Sequence, residues 1–206
     1  MTRFSELMSG QTLLPIIQAN SPTEGVNIAR AMADAGLNLV EVVLRTDASI
    51  DALKAIKQEV PELKVGAGTI INEQILEQAL SAGSDFIVTP AVSQNLLAEL
   101  KQCDVPVLPG VSNTGDILMA LEFGFEEQKL FPAALSGGAP FLSAVSSVFR
   151  KVSFCPTGGV SQSNKSEYLS LNNVFAVGGT WVAKKEWVAA SDWQSITDAC
   201  RSALKD

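Results

Sequence analysis

The chain has 206 residues, of which 47% are hydrophobic and 18% charged, a length and composition that suit one domain with a sizeable core. Its formal net charge of −7 argues against a general nucleic-acid binder, because such proteins normally present a basic face. The chain has no histidine, which excludes Ser–His and Cys–His nucleophile pairs and His-rich zinc sites.

The N-terminal residues, the lengths of the apolar runs and the cysteine count indicate the cellular compartment of the protein. The N-terminal residues Met1–Glu6 lack the charged-then-apolar pattern of a signal peptide, and no apolar run approaches the ~20 residues needed to span a bilayer. Cys103, Cys155 and Cys200 are few, odd in number and far apart, so a disulfide framework is not expected. We therefore expect a soluble cytoplasmic enzyme with no membrane or nucleic-acid partner.

Short apolar runs typical of strands alternate with amphipathic, helix-like segments along the chain. The predicted strands are Leu13–Ala19, Leu39–Leu44, Lys64–Ile70, Phe86–Pro90, Val105–Pro109, Glu127–Phe131, Val152–Pro156 and Val174–Val177. The predicted helices between and after them are Pro22–Ala35, Ile50–Glu59, Glu73–Ala82, Gln94–Lys101, Gly115–Phe123, Pro140–Phe149, Lys165–Leu171 and Trp193–Leu204. Gly36, Gly83 and Gly124 each follow a helical run, as residues that end helices do.

The regular alternation predicts one α/β domain over residues 1–206. Eight strand–helix units whose strands are apolar on both faces favour a closed parallel (β/α)8 barrel, the TIM barrel. An open doubly wound sheet is the alternative, but the first strand is not followed by a Gly-x-Gly-x-x-Gly turn. A short N-terminal helix from Arg3 to Ser9 is expected to close the bottom of the barrel. The chemistry of such barrels lies where the strands end.

The second predicted strand carries two charged residues on one face. Glu41, Val43 and Arg45 alternate in sequence, which puts a carboxylate inside the barrel and a guanidinium at its mouth. A carboxylate in an apolar barrel has a raised pKa and suits proton transfer. An arginine at the rim suits a substrate carboxylate. A purely structural Glu41–Arg45 ion pair is the alternative.

The third strand ends in small residues and a hydroxyl. Gly66 and Gly68 remove bulk where a ligand would approach the backbone, and Thr69 offers its hydroxyl group. Simple close packing explains these glycines equally well. The next two strands end at Pro90 and Pro109, which stop the strands and stiffen the rim.

The sixth strand, Glu127–Phe131, has a lysine in its middle and stops at Pro132. Side-chain alternation puts Lys129 and Phe131 on the same side. A charged lysine among apolar neighbours is costly to bury, so its site either pairs it or lowers its pKa. A neutral lysine is a nucleophile that forms a Schiff base with ketones and aldehydes. A solvated surface lysine is the alternative.

The last two strands each end in a glycine pair, Gly158-Gly159 and Gly178-Gly179. Barrels hold phosphate on the loops after these strands, and glycine lets several backbone N–H groups converge on an anion. The two pairs therefore predict a phosphate site in a chain whose net charge is negative. Cys155 is expected to be a core residue, because no histidine is present to activate it.

These strand ends together match a known family. The matching motifs are Glu41-Val-x-Leu-Arg45-Thr46, Gly66-Ala-Gly-Thr69, Thr89-Pro90, Leu108-Pro-Gly110, Lys129-x-Phe-Pro132, Cys155-Pro-Thr-Gly-Gly159 and Gly178-Gly-x-Trp181. They resemble 2-keto-3-deoxy-6-phosphogluconate aldolase, also described as 4-hydroxy-2-oxoglutarate aldolase, in register from about Leu14 to Asp192. The resemblance implies a metal-independent class I aldolase that needs no cofactor, takes a keto acid, releases pyruvate and forms a homotrimer of TIM barrels.

The resemblance also implies roles for individual residues. Lys129 corresponds to the Schiff-base lysine and Glu41 to the general acid/base. The implied substrate contacts are Arg45, Thr69, Pro90, Phe131 and Thr157, and the implied phosphate contacts are Gly158, Gly159, Gly179 and Thr180. No metal ligand is implied.

Two positions depart from the family pattern. Many relatives carry an acid where this chain has Ala134, and many carry serine where it has Thr180. The first departure bears on substrate preference, while the second keeps the hydroxyl. Two other functions stay open: a phosphosugar isomerase with Glu41 as base and Lys129 as a charge, and a non-catalytic phosphosugar-binding module. Imine formation separates them from an aldolase.

Overall fold

A computed structural model describes residues 3–205. The strands are β1 (Leu13–Ile17), β2 (Leu39–Val43), β3 (Lys64–Gly68), β4 (Ile87–Val88), β5 (Val107–Leu108), β6 (Gly110–Val111), β7 (Glu127–Leu130), β8 (Ser153–Phe154) and β9 (Val177–Gly179). The helices are α1 (Phe4–Met8), α2 (Pro22–Asp34), α3 (Ser49–Glu59), α4 (Glu73–Ser81), α5 (Gln94–Leu100), α6 (Thr114–Glu122), α7 (Gly138–Val145), α8 (Lys165–Leu169), α9 (Lys185–Ala189) and α10 (Trp193–Ala203).

The fold is α/β, with parallel strands that form two curled sheets. One sheet has the strand order β5-β4-β3-β2-β1-β9, and the other has the order β6-β7-β8. The register sets Glu41 of β2 opposite Gly66 of β3, and Lys129 of β7 opposite Gly110 of β6. Two isolated parallel bridges, Phe154↔Val174 and Thr157↔Gly178, join the β8 region to the β9 region.

The prolines make several strands shorter than predicted. The predicted strands Phe86–Pro90 and Val105–Pro109 keep only two residues each, as β4 and β5. Proline has no N–H to donate to a ladder, so the pairing breaks at Pro109 and resumes as β6, which was not predicted.

The last strand lies further along the chain than predicted. It is Val177–Gly179 and not Val174–Val177, because both glycines pair with β1. Gly178 and Gly179 suit this ladder because a Cβ on either would overlap Thr157 or the Trp181 ring, respectively. Helix α9 was not predicted.

The helix boundaries follow their capping residues. At the start of α2, the Ser21 side chain accepts a hydrogen bond from the Glu24 N–H, and Pro22 occupies the first turn. Gly36, Gly83 and Gly124 have φ values of 92°, 82° and 95°, the left-handed conformation that glycine adopts after a helix.

A small apolar cluster fills the space inside the strands, and a larger one lies between strands and helices. The inner cluster contains Phe4, Met8, Leu14, Leu39, Phe86, Val88, Leu108, Cys155 and Ala176. The Phe4 ring of α1 packs edge-on against Phe86 at 5.2 Å between centroids. Ser5 donates hydrogen bonds to Glu127, the first residue of β7. Helix α1 thus closes the end at which the strands begin, as predicted. Within residues 3–205, no helix has the length and hydropathy needed to span a membrane.

Candidate active site

Strands β2 and β7 bring Glu41 and Lys129 together inside the sheet. The Lys129 Nζ atom lies 3.4 Å from Glu41 Oε1, and the two side chains are 4% and 0% exposed. Burial with an opposite charge is one of the two solutions expected for a lysine among apolar neighbours. The surface-lysine alternative is therefore wrong. The Glu41–Arg45 alternative is also wrong, because the ion-pair partner of Glu41 is Lys129.

The Glu41 carboxylate lies directly over Gly68. A Cβ at residue 68 would overlap Oε1 and would lie 2.7 Å from Cδ and 2.8 Å from Cγ. The glycine therefore provides the space that the carboxylate occupies. Within the described part of the chain, Glu41 Oε2 is buried and has no hydrogen-bond partner. A buried acceptor left unpaired costs about 1–3 kcal/mol, and such groups call for a functional explanation.

Arg45 and Thr69 meet at the mouth of the site. Arg45 Nε donates to Thr69 Oγ1 at 3.1 Å, and the arginine itself is exposed. Thr69 has a φ of 67°, which is unusual for a β-branched residue. Sparsely populated conformations of this kind cluster at functional sites. The hydroxyl and the guanidinium thus present donors just beyond the ends of β3 and β2.

Phe131 and Pro90 lie at the same end of the strands. The Phe131 ring centroid is 5.2 Å from Lys129 Nζ, so these residues share a side as alternation predicts. The ring face attracts a cation at this distance. Pro90 is half-buried, and its backbone packs against Gly110, where a Cβ would lie 2.5 Å from the Pro90 carbonyl carbon.

Thr157 and Cys155 lie on the β8 side of the site. Thr157 is buried and its hydroxyl packs against Gly178. Cys155 belongs to the inner apolar cluster. Burial raises the pKa of the Cys155 thiol to about 12, while the nearby Lys129 charge acts in the opposite direction. The group is therefore a neutral thiol at pH 7, and its expected core role is confirmed.

The carbonyl groups of the Gly158-Gly159 loop accept hydrogen bonds from neighbouring backbone N–H groups. Gly158 and Gly159 have φ values of 92° and 79°. The carbonyls of Thr157 and Gly158 accept hydrogen bonds from the backbone N–H groups of Ala133 and Ala134 at 2.7 and 3.0 Å. In residues 3–205, the N–H groups of Gly159 and Val160 donate to no protein acceptor, whereas the Gly158 N–H faces the Gly178 carbonyl across the Thr157↔Gly178 bridge. A run of free backbone N–H groups suits an anion.

The Gly179-Thr180 end lies beside an open cleft. In the chain as described, the N–H groups of Thr180 and Trp181 also donate to no protein acceptor. Ile16, Gln18, Asn20 and Lys184 are among the residues that line the cleft next to Thr180. Gln18, Asn20 and Lys184 were not predicted as site residues, because none belongs to a motif or to a periodic face.

Ala134 touches the Gly158-Gly159 loop. A Cβ at Gly159 would overlap the Ala134 Cβ, so the position that departs from the family pattern packs against the predicted phosphate contacts. The structure thus brings Lys129 together with Glu41 and Phe131, and Arg45 together with Thr69. Among the described residues, no group of three or more His, Cys, Asp or Glu is arranged as metal ligands.

Comparison with known proteins agrees with this geometry. The family model for KDPG and KHG aldolase (2-keto-3-deoxy-6-phosphogluconate and 4-hydroxy-2-oxoglutarate aldolase) matches residues 4–199. A KHG/KDPG aldolase of Escherichia coli K12 is 35% identical over 204 residues, covering 99% of this chain and 96% of the relative. A 2-dehydro-3-deoxy-phosphogluconate aldolase of Pseudomonas aeruginosa is 38% identical over 203 residues, covering 98% and 92%.

A solved structure extends the match to three dimensions. The KDPG aldolase of Legionella pneumophila, with pyruvate captured as a covalent carbinolamine, has a TM-score of 0.95 at 33% identity and 99% coverage of both chains. With buried lysine, carboxylate and glycine loops in a matching fold, the chain belongs to the KDPG and KHG aldolase family.

Proposed function

We propose that the protein reversibly cleaves 2-keto-3-deoxy-6-phosphogluconate to pyruvate and glyceraldehyde 3-phosphate. We propose 4-hydroxy-2-oxoglutarate, which yields pyruvate and glyoxylate, as a second substrate. The observation that carries this proposal is the Lys129–Glu41 pair, buried together at 3.4 Å with one carboxylate oxygen unpaired. The enzyme is a lyase, as its aldolase relatives are.

Lys129 begins the reaction as the nucleophile. In its neutral form it attacks the C2 carbonyl of the keto acid, and a carbinolamine forms. Loss of water leaves a protonated imine, whose positive charge accepts electrons from the C3–C4 bond. Arg45 and Thr69, joined at 3.1 Å at the mouth, hold the substrate carboxylate.

Glu41 moves the protons. It takes the proton of the C4 hydroxyl, directly or through one water, as the C3–C4 bond breaks and the aldehyde leaves. It then returns a proton to C3 of the remaining enamine. Water hydrolyses the resulting imine, which releases pyruvate and restores Lys129. Two observations support this role of Glu41. Its Oε2 atom is buried and unpaired among the described residues, and its Oε1 atom lies 3.4 Å from Lys129 Nζ.

The glycine loops hold the phosphate of the longer substrate. The N–H groups of Gly159, Val160 and Thr180, which have no acceptor among residues 3–205, support this assignment, as does a relative from Zymomonas mobilis solved with 3-phosphoglycerate at 37% identity. Fixed backbone donors act at short range, whereas the net negative charge is screened beyond ~10 Å at 0.1 M salt.

One variant tests the phosphate site. Gly179→Val puts a side chain where a Cβ would already overlap the Trp181 ring, so the cradle must distort. We expect kcat/KM to fall far more for 2-keto-3-deoxy-6-phosphogluconate than for 4-hydroxy-2-oxoglutarate, which carries no phosphate. Equal losses with both substrates in a folded variant would contradict the assignment.

We propose that the two sheets form one closed (β/α)8 barrel in a single domain. The bridges Phe154↔Val174 and Thr157↔Gly178 support closure between β8 and β9, and β9 pairs with β1. At the other junction between the two sheets, β5 and β6 are separated along the chain by Pro109 alone.

We also propose a homotrimer that works in the cytoplasm. Exposed apolar side chains support self-association, namely Leu135 (88% exposed), Val148 (71%) and Ile71 (57%). Light scattering coupled to gel filtration tests this assembly, and a mass near 21.8 kDa, that of a single chain, would contradict it.

Product analysis tests the reaction itself. Pyruvate release from 2-keto-3-deoxy-6-phosphogluconate and from 4-hydroxy-2-oxoglutarate, measured with purified protein, gives the two kcat/KM values. An isomerase would consume the phosphosugar without releasing pyruvate, and a binding module would not turn it over. Family membership and the buried pair favour neither of these alternatives.

A further inference from the structure

Asn164 closes the loop that follows the two glycines of the proposed phosphate cradle. Its Nδ2 group donates to the Gly159 carbonyl at 3.0 Å, and its Oδ1 atom accepts from the Ser161 N–H at 2.8 Å. One amide side chain thus binds a carbonyl and an N–H of the same loop. Asparagine offers both a donor and an acceptor, whereas aspartate offers only acceptors and alanine offers neither.

The first of these bonds fixes the direction of a backbone donor. The peptide unit is planar and trans, so the carbonyl of one residue and the N–H of the next point in opposite directions. The carbonyl of Gly159 and the N–H of Val160 belong to one unit. Because Asn164 holds that carbonyl, the Val160 N–H must point to the other side.

The same arrangement repeats along three consecutive peptide units. Ala133 N–H holds the Thr157 carbonyl, and Ala134 N–H holds the Gly158 carbonyl. These bonds orient the N–H groups of Gly158 and Gly159, as Asn164 orients that of Val160. The N–H groups of Gly159 and Val160 lack an acceptor within residues 3–205, while that of Gly158 faces the Gly178 carbonyl across the Thr157↔Gly178 bridge. In the third unit the Asn164 side chain donates the hydrogen bond to the carbonyl, whereas in the first two units backbone N–H groups donate it.

We propose that Asn164 is a positioning residue that aims the Val160 N–H at the phosphate of the substrate. The inference rests on the proposed phosphate cradle and deepens it. Asn164 does not touch the substrate or the reacting carbon. Its effect is confined to binding of a phosphorylated substrate, and the Lys129–Glu41 chemistry does not depend on it.

The experiment compares Asn164→Ala with a matched control, Asn172→Ala. Asn172 is exposed on the loop between α8 and β9, before the strand whose far end carries Gly179. Loss of one oriented donor is expected to raise KM for 2-keto-3-deoxy-6-phosphogluconate about tenfold, with kcat within about twofold. Values for 4-hydroxy-2-oxoglutarate are expected to stay within about twofold, as are all values of the control. Inorganic phosphate, as a competitive inhibitor, is expected to bind about tenfold more weakly to the variant.

A second variant separates positioning from simple stabilisation of the loop. Asn164→Asp keeps the acceptor for Ser161 but cannot donate to Gly159, so it is expected to show the same selective rise in KM. If it matched the unmodified enzyme with both substrates, the proposal would be overturned. Equal losses with both substrates, in either folded variant, would also overturn it. Should Asn164→Ala fail to fold, the aspartate variant decides alone.

Gly179→Val distinguishes failure of this inference from failure of the cradle. A selective effect of Gly179→Val, combined with an unselective or absent effect of the Asn164 variants, overturns the role of Asn164 alone. Unselective effects of both sets of variants overturn the phosphate cradle itself.

Discussion

Replacing Gly68 by alanine tests whether the position of the Glu41 carboxylate controls catalysis. The new Cβ would overlap Glu41 Oε1 and would lie 2.7 Å from Cδ, where ordinary contact begins at 3.4 Å. The backbone of Gly68 does not adopt a positive φ, so alanine fits the main chain without strain. The perturbation is therefore directed at the carboxylate.

The size of the effect follows from this geometry. The carboxyl carbon must retreat by about 0.7 Å to reach ordinary contact, and a misplacement of about 1 Å costs on the order of 10²-fold in rate. We expect kcat for pyruvate release to fall between about tenfold and 10²-fold. Trapping of pyruvate on Lys129 by borohydride is expected to continue, because the amine itself is not displaced.

A rescue and a control make the measurement specific. Glu41→Asp shortens the side chain by one methylene group and leaves room for the new methyl group. The double variant is therefore expected to lose less activity than the product of the two single losses. Gly115→Ala, whose Cβ would meet only the Asn113 side chain at 3.1 Å, serves as a control. A folded Gly68→Ala variant with kcat within about threefold of the unmodified enzyme would refute the reasoning.

Three further predictions concern the proton donor, metals and thiols. Glu41→Gln is expected to slow cleavage by ~10²–10⁴-fold while pyruvate trapping persists; a change below about threefold would mean that Glu41 is only structural. EDTA is expected to leave pyruvate release unchanged, and activity that EDTA removes and zinc restores would contradict this. Burial raises the pKa of Cys155 and of Cys200 from 9.0 to about 12, so both thiols stay protonated at pH 8. Their contribution to stability is complete below pH 9 and is lost as the pH rises toward 12. Both are expected to resist a thiol reagent at pH 8 until the protein unfolds, and fast labelling of folded protein would disprove this.

Local periodicity predicted the parts of the site that lie within one strand. The two-residue repeat placed Lys129 and Phe131 on one side of the strand, and in the structure Lys129 Nζ lies 5.2 Å from the Phe131 ring centroid. Helix ends at Gly36, Gly83 and Gly124 were equally local and are confirmed by their positive φ values. Such features depend on a few neighbouring residues, which a sequence pattern records directly.

Contacts between distant strands could not be predicted in the same way. Lys129 and Glu41 are 88 residues apart along the chain, and their contact depends on sheet register. Strand spacing indicated that both lie inside but not that they pair with each other. The role of Gly68 as space for a carboxylate is also invisible until β2 and β3 are side by side.

Loop hydrogen bonds escaped prediction for a different reason. Asn164 binds Gly159 and Ser161 through its side chain, in a segment with no period and no repeated spacing.

Pro109 was predicted to end a strand, yet strand pairing resumes immediately after it as β6. A missing N–H removes one ladder bond, and the surrounding packing decides whether the strand continues.

The most direct test of the account is to identify the lysine that reacts with pyruvate. Borohydride reduction in the presence of pyruvate, followed by peptide mass spectrometry, locates the adduct. We predict complete inactivation and an adduct on Lys129 alone, with the other buried lysine, Lys165, unmodified where it donates to the Ala203 carbonyl at 3.1 Å. An adduct on any other lysine, or full activity after reduction, would contradict the proposed mechanism.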